Sequence, residues 1–165
     1  MAHGNGLTKL EKRLKREMED LNLPARSWVT QASQENKPDY DVIVIGGGML
    51  GLSATAALLF QGVTSVLCLD RAEQGLEGPW LNYARMPTLR TPKTAMGPAL
   101  GVPALTFRAW FNAQYGAVAW DELDKIPTPM WMAYLCWYRK ILALPVRNQT
   151  NVTDIAFCDN GQIAV

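Results

Sequence analysis

A polar segment with one apolar stripe opens the chain. The stripe has three- and four-residue spacing and comprises Leu7, Leu10, Leu14, Met18 and Leu21. This spacing predicts an amphipathic helix that ends near Pro24, with Thr8 and Glu11 as a capping box at its start. Polar residues after it predict a linker, so we expect residues 1–38 to precede a domain over residues 39–165. The helix either packs on its own domain or docks a partner, and packing is favoured.

A second pattern, a short β-branched run followed by an alanine- and leucine-rich stretch, begins at Asp41. Residues 41–45 (DVIVI) predict a strand buried on both faces. Residues 50–60 predict a helix that stops at Gly62, and residues 65–69 (SVLCL) predict another strand. Strand, helix and strand in this order predict a βαβ unit with two parallel strands.

The middle of the chain is less regular. Residues 75–106 are rich in glycine and proline and predict a long ordered loop. Two helices are predicted after it, one over residues 107–115 that ends at Gly116 and one that begins at Pro129. One face of the second helix is formed by Trp131, Leu135, Tyr138 and Leu142. A core or interface is favoured over a substrate entrance for Trp110, Trp120, Trp131 and Trp137.

Composition narrows the classes of protein. The 165 residues carry 16 Lys+Arg and 15 Asp+Glu, which argues against a nucleic-acid binder or a protein held on a membrane surface by charge. No apolar run reaches the roughly 18 residues of a membrane span, and the charged N-terminus is unlike a signal peptide. Three cysteines without CxxC spacing fit reduced thiols, so a cytoplasmic location is expected. His3 stands alone, so neither a metal site nor a catalytic triad is predicted.

A glycine-rich motif lies between the first predicted strand and its helix. Residues 46–51 (GGGMLG) match the pattern G-x-G-x-x-G. In this pattern Gly46 allows the tight turn, Gly48 lets a pyrophosphate approach the backbone, and Gly51 lets the helix pack closely on the sheet. Free N–H groups at the helix start would face the phosphates. The predicted phosphate-binding residues are Gly46, Gly47, Gly48, Met49, Leu50 and Gly51. A glycine-rich turn in an unrelated α/β protein is the alternative.

An acidic residue ends the second predicted strand. Asp70 follows Gly51 by 19 residues, where its carboxylate can accept both hydroxyls of an adenosine ribose. A carboxylate there repels a 2′-phosphate, which argues against NADP at this site. Arg71 lies over the adenine or is simply exposed. The motif and Asp70 together leave the choice between FAD and NAD open.

The residues that follow favour FAD. Gly78-Pro79-Trp80 resembles the G-G/P-x-W-like element that runs alongside the flavin in two-dinucleotide-domain flavoproteins, and Trp80 with Asn82 is similar to their Trp–Asn pair. Residues 39–165 therefore resemble the FAD-binding end of flavin-dependent monooxygenases, a group that includes N-hydroxylating, Baeyer–Villiger and flavin-containing enzymes. The resemblance implies FAD as the cofactor, oxygen activation on the flavin, and NAD(P)H as a reductant bound mainly outside this chain.

Further cofactor contacts are expected in the loop and beyond. Positive charge at Arg85, Arg90 and Lys93 can stabilise a reduced flavin or a nicotinamide phosphate, or can belong to a solvated loop. Trp80 is expected to pack on the flavin ring or to close the pocket above it. The resemblance also implies a backbone contact from Val152 to the adenine. The predicted contacts outside the glycine motif are Asp70, Arg71, Gly78, Pro79, Trp80, Arg85, Arg90, Thr91 and Val152.

A β-hairpin is predicted at the end of the sequence, with strands over residues 152–157 and 162–165 joined by Asn160-Gly161. The expected fold class is thus α/β, a Rossmann-like FAD-binding βαβ unit with a helical insertion and a terminal hairpin. No further strand is predicted for the parallel sheet, so the sheet is expected to be incomplete. Another polypeptide or a further part of the same protein would complete it, and a hetero-oligomer is favoured.

Three functions fit these patterns. The favoured one is the FAD-binding part of a flavin-dependent monooxygenase that acts on a small molecule. The others are a flavin-dependent dehydrogenase or reductase without an oxygen step, and a non-catalytic dinucleotide-binding assembly subunit. No side chain stands out as a catalytic acid, base or nucleophile, so the chemistry is expected to be that of the cofactor.

Overall fold

The computed structural model of the protein describes residues 3–30 and 39–165. The chain divides into two compact units, which we call the helical unit and the sheet unit. The helical unit combines Met1–Leu23 with Pro79–Ala143, and the sheet unit combines Pro24–Gly78 with Leu144–Val165. The predicted linker, residues 33–38, lies outside the described residues. None of the helices in the described ranges is both long enough and apolar enough to cross a lipid bilayer.

The sheet unit contains the predicted βαβ unit. Strand β1 (Val42–Ile45), helix α2 (Met49–Phe60) and strand β2 (Val66–Leu69) follow one another, and the two strands pair in parallel with Val42 opposite Val66. Strand β2 is buried throughout. Strand β1 was expected to be buried on both faces, but among the described residues it is an edge strand and Ile45 is 51% exposed.

A third parallel strand, β3 (Val146–Arg147), pairs with β2 and gives the order β1-β2-β3. The prediction that no further strand joins the parallel sheet is therefore wrong. Two residues, one of them charged, are too short a run to show any period in the sequence. Because the helical unit's Pro79–Ala143 lies between β2 and β3 in the chain, it is the predicted helical insertion. The fold is a partial Rossmann-like α/β unit, as predicted.

The terminal hairpin is present but shorter than predicted. Strands β4 (Ala156–Phe157) and β5 (Ile163–Ala164) pair antiparallel, and Gly161 has the positive φ that the turn requires. Residues 152–155 are outside the strand, so the prediction of a strand beginning at Val152 is wrong. Residues 153–155 are exposed and do not pair with β5, so no ladder hydrogen bonds hold them in a strand.

The helical unit contains α1 (His3–Asp20), a 3-10 turn (Pro103–Leu105), α3 (Phe107–Glu122) and α4 (Thr128–Ile141). Helix α1 packs on its own unit, since Leu10 and Leu14 are buried and the Glu17 carboxylate accepts a 2.7 Å hydrogen bond from the Ala104 N–H. Thr8 lies inside α1 and not at its start, so the predicted capping box is wrong. A cap residue must have non-helical backbone angles.

Aromatic side chains form the core of the helical unit. Phe107 packs against the rings of Trp110, Trp131 and Tyr134, with ring centroids 5.4 to 5.6 Å apart. Trp120 and Trp137 are also buried, so the tryptophans of these helices are core residues, as favoured from the sequence. Gly116, with φ of 85°, breaks α3 at the predicted position, although a further helical stretch continues to Glu122.

Two tyrosines of α4 have buried hydroxyl groups. Tyr134 donates a 2.6 Å hydrogen bond to the carbonyl oxygen of Leu105. The Tyr138 hydroxyl has no hydrogen-bond partner in the part of the chain that the structure describes. Burial raises the pKa of both phenols above the ordinary value, and the neighbouring Tyr138 adds to the shift at Tyr134. Both side chains are therefore held in the neutral form.

Candidate dinucleotide-binding site

The turn that leaves β1 requires glycine for its backbone geometry. Gly46 has a φ of 99°, a conformation that side-chain-bearing residues rarely adopt, while its side-chain position is open. Its N–H donates a 2.7 Å hydrogen bond to the carbonyl of Leu69, which extends the β1–β2 ladder by one residue. The turn thus starts directly at the end of the sheet, as the motif predicts.

Gly51 is required for close packing. A Cβ atom at this position would lie 1.6 Å from the carbonyl oxygen of Gly46, and the next contact would be 2.8 Å from the Gly46 carbonyl carbon. Backbone atoms cannot yield at such distances, so any larger residue would push α2 away from the turn. This geometry agrees with the packing role expected for the third glycine of the motif.

Gly48 differs from both of these glycines, because the fold does not explain it. Its φ of −67° and ψ of −174° are accessible to any residue. A Cβ atom would meet the Cα of Gly78 at 3.5 Å, which is ordinary van der Waals contact. The absence of a side chain at this position leaves space at the start of α2, between the glycine motif and Gly78.

The start of α2 offers donors for an anion. Gly48 is the N-cap residue; no side chain caps the helix and its first turn contains no acidic residue. The first helical hydrogen bond runs from the Leu52 N–H to the Gly48 carbonyl, so the N–H groups of Met49, Leu50 and Gly51 have no partner within the helix. These donors and the positive end of the helix dipole suit a phosphate group.

Asp70 ties the glycine motif to the end of β2. Its side chain is nearly buried, at 8% exposure, and its Oδ2 accepts a 2.6 Å hydrogen bond from the Gly47 N–H. Oδ1 accepts a 2.7 Å hydrogen bond from the Ala72 N–H. A carboxylate has about four lone-pair sites, so each oxygen retains capacity for one ribose hydroxyl. The structure thus adds an anchoring role to the ribose contact, which stays a prediction.

A second buried carboxylate near the motif was missed by sequence reasoning. Glu77 is 4% exposed, and its Oε1 accepts a 2.7 Å hydrogen bond from Nδ2 of Asn148. Its Oε2 accepts from the Gly75 N–H at 2.8 Å. The sequence carries only a weak signal for this residue, since an acidic residue next to a glycine is common in exposed surface loops. Asn148 lies 71 residues further along the chain, and no local pattern links the two.

The remaining predicted contacts are divided between the units. Gly78 belongs to the sheet unit with the motif, Arg71 there is exposed, and Val152 is half-buried outside any strand. The adenine contact from a strand at Val152 therefore lacks the expected strand.

The predicted contacts within the helical unit are Pro79, Trp80, Arg85, Arg90 and Thr91. The Trp80 ring packs edge-on against Trp131 at 6.1 Å, whereas the arginines and Thr91 are exposed. Their contacts with a cofactor stay predictions.

Lys93 has a structural position in the helical unit. Its Nζ donates to the carbonyl oxygens of Trp120 and Leu123 at the end of α3 and lies 5.1 Å from the centre of the Trp120 ring. A cation at the C-terminal end of a helix satisfies carbonyl groups that have no helical partner. The Lys93 ammonium, which the sequence suggested for a cofactor, is therefore already hydrogen-bonded to the end of α3.

Comparisons with known proteins agree with this geometry. A protein-family model described as FAD-NAD(P)-binding matches residues 43–164. The chain is 48% identical over 149 residues to the FAD-dependent urate hydroxylase of Xanthomonas campestris pv. campestris. This alignment covers 90% of the chain but 32% of the relative, so the chain spans a minor part of that protein's length. No solved structure shows a significant match.

The resemblance to flavin-dependent monooxygenases is confirmed by a relative that is itself an FAD-dependent hydroxylase. The matched region includes the glycine motif, Asp70, the helical insertion and the hairpin. The prediction of an FAD-binding unit is also confirmed, because the model of the FAD-NAD(P)-binding family matches most of the chain. This chain belongs to the FAD-NAD(P)-binding family.

Proposed function

We propose that the chain is the FAD-binding part of a flavin-dependent monooxygenase that uses NAD(P)H and oxygen. The observation that carries the proposal is Gly48, a glycine that neither backbone angle nor packing requires, at the uncapped start of α2. A ligand that approaches the backbone accounts for it. The family membership and the hydroxylase relative favour FAD and a monooxygenase over other dinucleotide proteins.

In this proposal each part of the site has a separate task. The N–H groups of Met49 and Leu50 bind the pyrophosphate, and Gly48 leaves room for it. Asp70 accepts hydroxyls of the adenosine ribose and disfavours a 2′-phosphate at this site. FAD, when bound, supplies electron transfer from NAD(P)H and the activation of oxygen. The residues of this chain hold and orient the cofactor, and the reductant binds mainly elsewhere.

Urate is the first substrate to test, because the hydroxylase relative carries that name. A small planar heterocycle of this kind would need walls around the flavin that exclude water. We propose that part of those walls comes from polypeptide outside the 165 residues. Strand β1 supports this, since in the described residues it pairs on one side with β2 and presents its other edge unpaired.

A second polypeptide in a hetero-oligomer and a cytoplasmic location belong to the same proposal. Cys68, Cys136 and Cys158 are all outside disulfides, which supports a reducing compartment. NADPH and NADH are both candidate reductants. The oxygen step is the part that separates this proposal from a dehydrogenase or reductase.

The test uses the intact protein. It is expected to have visible flavin absorbance, to lose that absorbance on anaerobic addition of NADH or NADPH, and to consume oxygen faster when urate is added. Protein that is colourless and does not bind added FAD would contradict the proposal. Flavin reduction without substrate-dependent oxygen uptake, across urate and related purines, would favour the dehydrogenase alternative.

A further inference from the structure

We infer that Glu77 and Asn148 are positioning residues that hold Gly78 beside the start of α2 and so shape the phosphate-binding space. The inference rests on the proposed FAD site and deepens it. It assigns a role to a pair of side chains that neither the glycine motif nor the ribose-binding acid includes. Both residues lie in the sheet unit, as does the motif itself.

Asn148 extends from a fixed stretch of backbone. Directly after β3 the chain continues to pair with the residues after β2, through hydrogen bonds from the Gln149 N–H to the Ala72 carbonyl at 3.1 Å and from the Thr150 N–H to the Asp70 carbonyl at 2.9 Å. The Asn148 Nδ2 donates to the same Ala72 carbonyl at 3.1 Å and to Glu77 at 2.7 Å. Its amide group therefore bridges the two ends of the 72–77 segment.

Glu77 is fixed by both of its carboxylate oxygens. One accepts from Asn148 and the other from the Gly75 N–H, at 2.7 and 2.8 Å. A buried carboxylate is costly unless its oxygens are satisfied, so a residue chosen for packing alone would be apolar. Hydrogen bonds to an ionised acceptor are short and directional. Glu77 thus determines where the backbone enters Gly78.

Gly78 is the residue that this arrangement places. It has a φ of 73°, and its Cα lies 3.5 Å from the position of a Cβ on Gly48. Gly78 therefore forms one wall of the space beside Gly48, at the start of α2. If Glu77 is released, the end of the segment next to Gly78 loses its attachment to Asn148 and this wall moves. The parallel ladder of β1, β2 and β3 does not use either side chain and remains intact.

The experiment measures FAD affinity of the intact apoprotein by flavin fluorescence, at a temperature well below unfolding. Asn148→Asp places a second carboxylate against Glu77 and is expected to weaken FAD binding at least about tenfold. Combining it with Glu77→Gln removes the repulsion and restores one donor–acceptor pair, and is expected to recover at least about threefold of that loss. Asn151→Asp is the matched control, since Asn151 is exposed and its substitution adds the same charge three residues away.

The outcomes separate the inference from the proposed function. Wild-type protein that fails to bind FAD overturns the proposed function. Wild-type binding with unchanged affinity in Asn148→Asp, or no recovery in the double variant, overturns the positioning role alone. If Asn148→Asp does not fold, Glu77→Gln by itself provides the measurement, because it keeps one acceptor oxygen and should fold. It is expected to bind FAD about three- to tenfold more weakly, and unchanged affinity would contradict the inference.

Discussion

Single hydrogen bonds distinguish residues that the sequence makes look alike. Tyr134 and Tyr138 lie one helical turn apart on α4 and both are buried, but the hydroxyl of Tyr134 has an acceptor and that of Tyr138 has none in the described chain. A buried polar group without a partner loses its hydration without compensation. The two hydroxyls therefore contribute to stability with opposite sign.

Removing each hydroxyl tests this difference. Tyr134→Phe is expected to lower the free energy of unfolding by about 1 kcal/mol, because the Leu105 carbonyl loses its donor. Tyr138→Phe is expected to leave that free energy unchanged or to raise it by up to about 1 kcal/mol. Urea denaturation of the two variants and the wild type gives the comparison. A larger loss in Tyr138→Phe than in Tyr134→Phe would contradict the assignment.

The same tyrosines predict a response to alkaline pH. Burial raises the pKa of both phenols in the folded state, whereas in the unfolded chain their pKa is about 10. The unfolded state therefore loses these protons first as pH rises, so the contribution of the two phenols to stability is constant below about pH 10 and falls above it. Thermal midpoints from pH 8 to 11 measure this fall, which should be smaller in the Tyr134→Phe/Tyr138→Phe double variant. An equal fall in wild type and double variant would assign it to other groups.

At the scale of elements, α2 and its entry turn use glycine for two different reasons. Gly51 lets the helix lie on the turn, where a Cβ would be 1.6 Å from the Gly46 carbonyl oxygen. Gly48 has ordinary backbone angles and room for a methyl group, so the folded chain alone would tolerate alanine there. One glycine serves the fold, and we expect the other to serve the ligand.

Alanine substitution at each position tests this separation. Gly51→Ala is expected to destabilise the apoprotein by about 3 kcal/mol or more, since backbone atoms must move apart. Gly48→Ala is expected to change apoprotein stability by less than about 1 kcal/mol but to weaken FAD binding at least about tenfold. Thermal melts without cofactor and flavin titrations give the two readouts. Unchanged FAD affinity in Gly48→Ala would refute the phosphate-binding role.

The elements that the sequence predicts well are those with local signals. A β-branched run, a glycine turn and an alanine-rich helix specify β1, α2 and β2 by themselves. By contrast, the start of α1 depends on tertiary packing, because Gly6 disfavours a helix locally but approaches the Ala113 carbonyl too closely for any side chain. Strand β3 and the Glu77–Asn148 pair likewise arise from residues distant in sequence. Contacts of this kind produce no hydrophobic periodicity in the sequence from which they could be predicted.

At the scale of the whole molecule, the chain covers 32% of a hydroxylase relative and forms a parallel sheet of three strands. In the proposed function the glycine motif and Asp70 hold one end of FAD; these 165 residues contain one such motif, so NAD(P)H would need another site. We therefore expect activity to require a further polypeptide segment or a partner chain. Association with a partner and continuation of the same protein make different predictions for its mass.

Native mass spectrometry of the protein isolated from its source distinguishes them. We expect noncovalently bound FAD and polypeptide beyond the 165 residues, either in the same chain or in a second one. Acid denaturation of the same sample is the control, because it should release the flavin and separate any partner chain. A folded 165-residue monomer without flavin would contradict both the cofactor and the completion of the fold.

The position of Cys68 gives the sheet a chemical reporter. Its side chain is completely buried in the central strand β2, whereas Cys136 and Cys158 are exposed. A thiol-alkylating reagent should therefore modify two cysteines quickly and the third only when the strands separate. Bound FAD should slow that third reaction in proportion to its stabilisation of the folded sheet. The rate at which one thiol is alkylated would then measure how strongly cofactor binding and sheet opening are coupled.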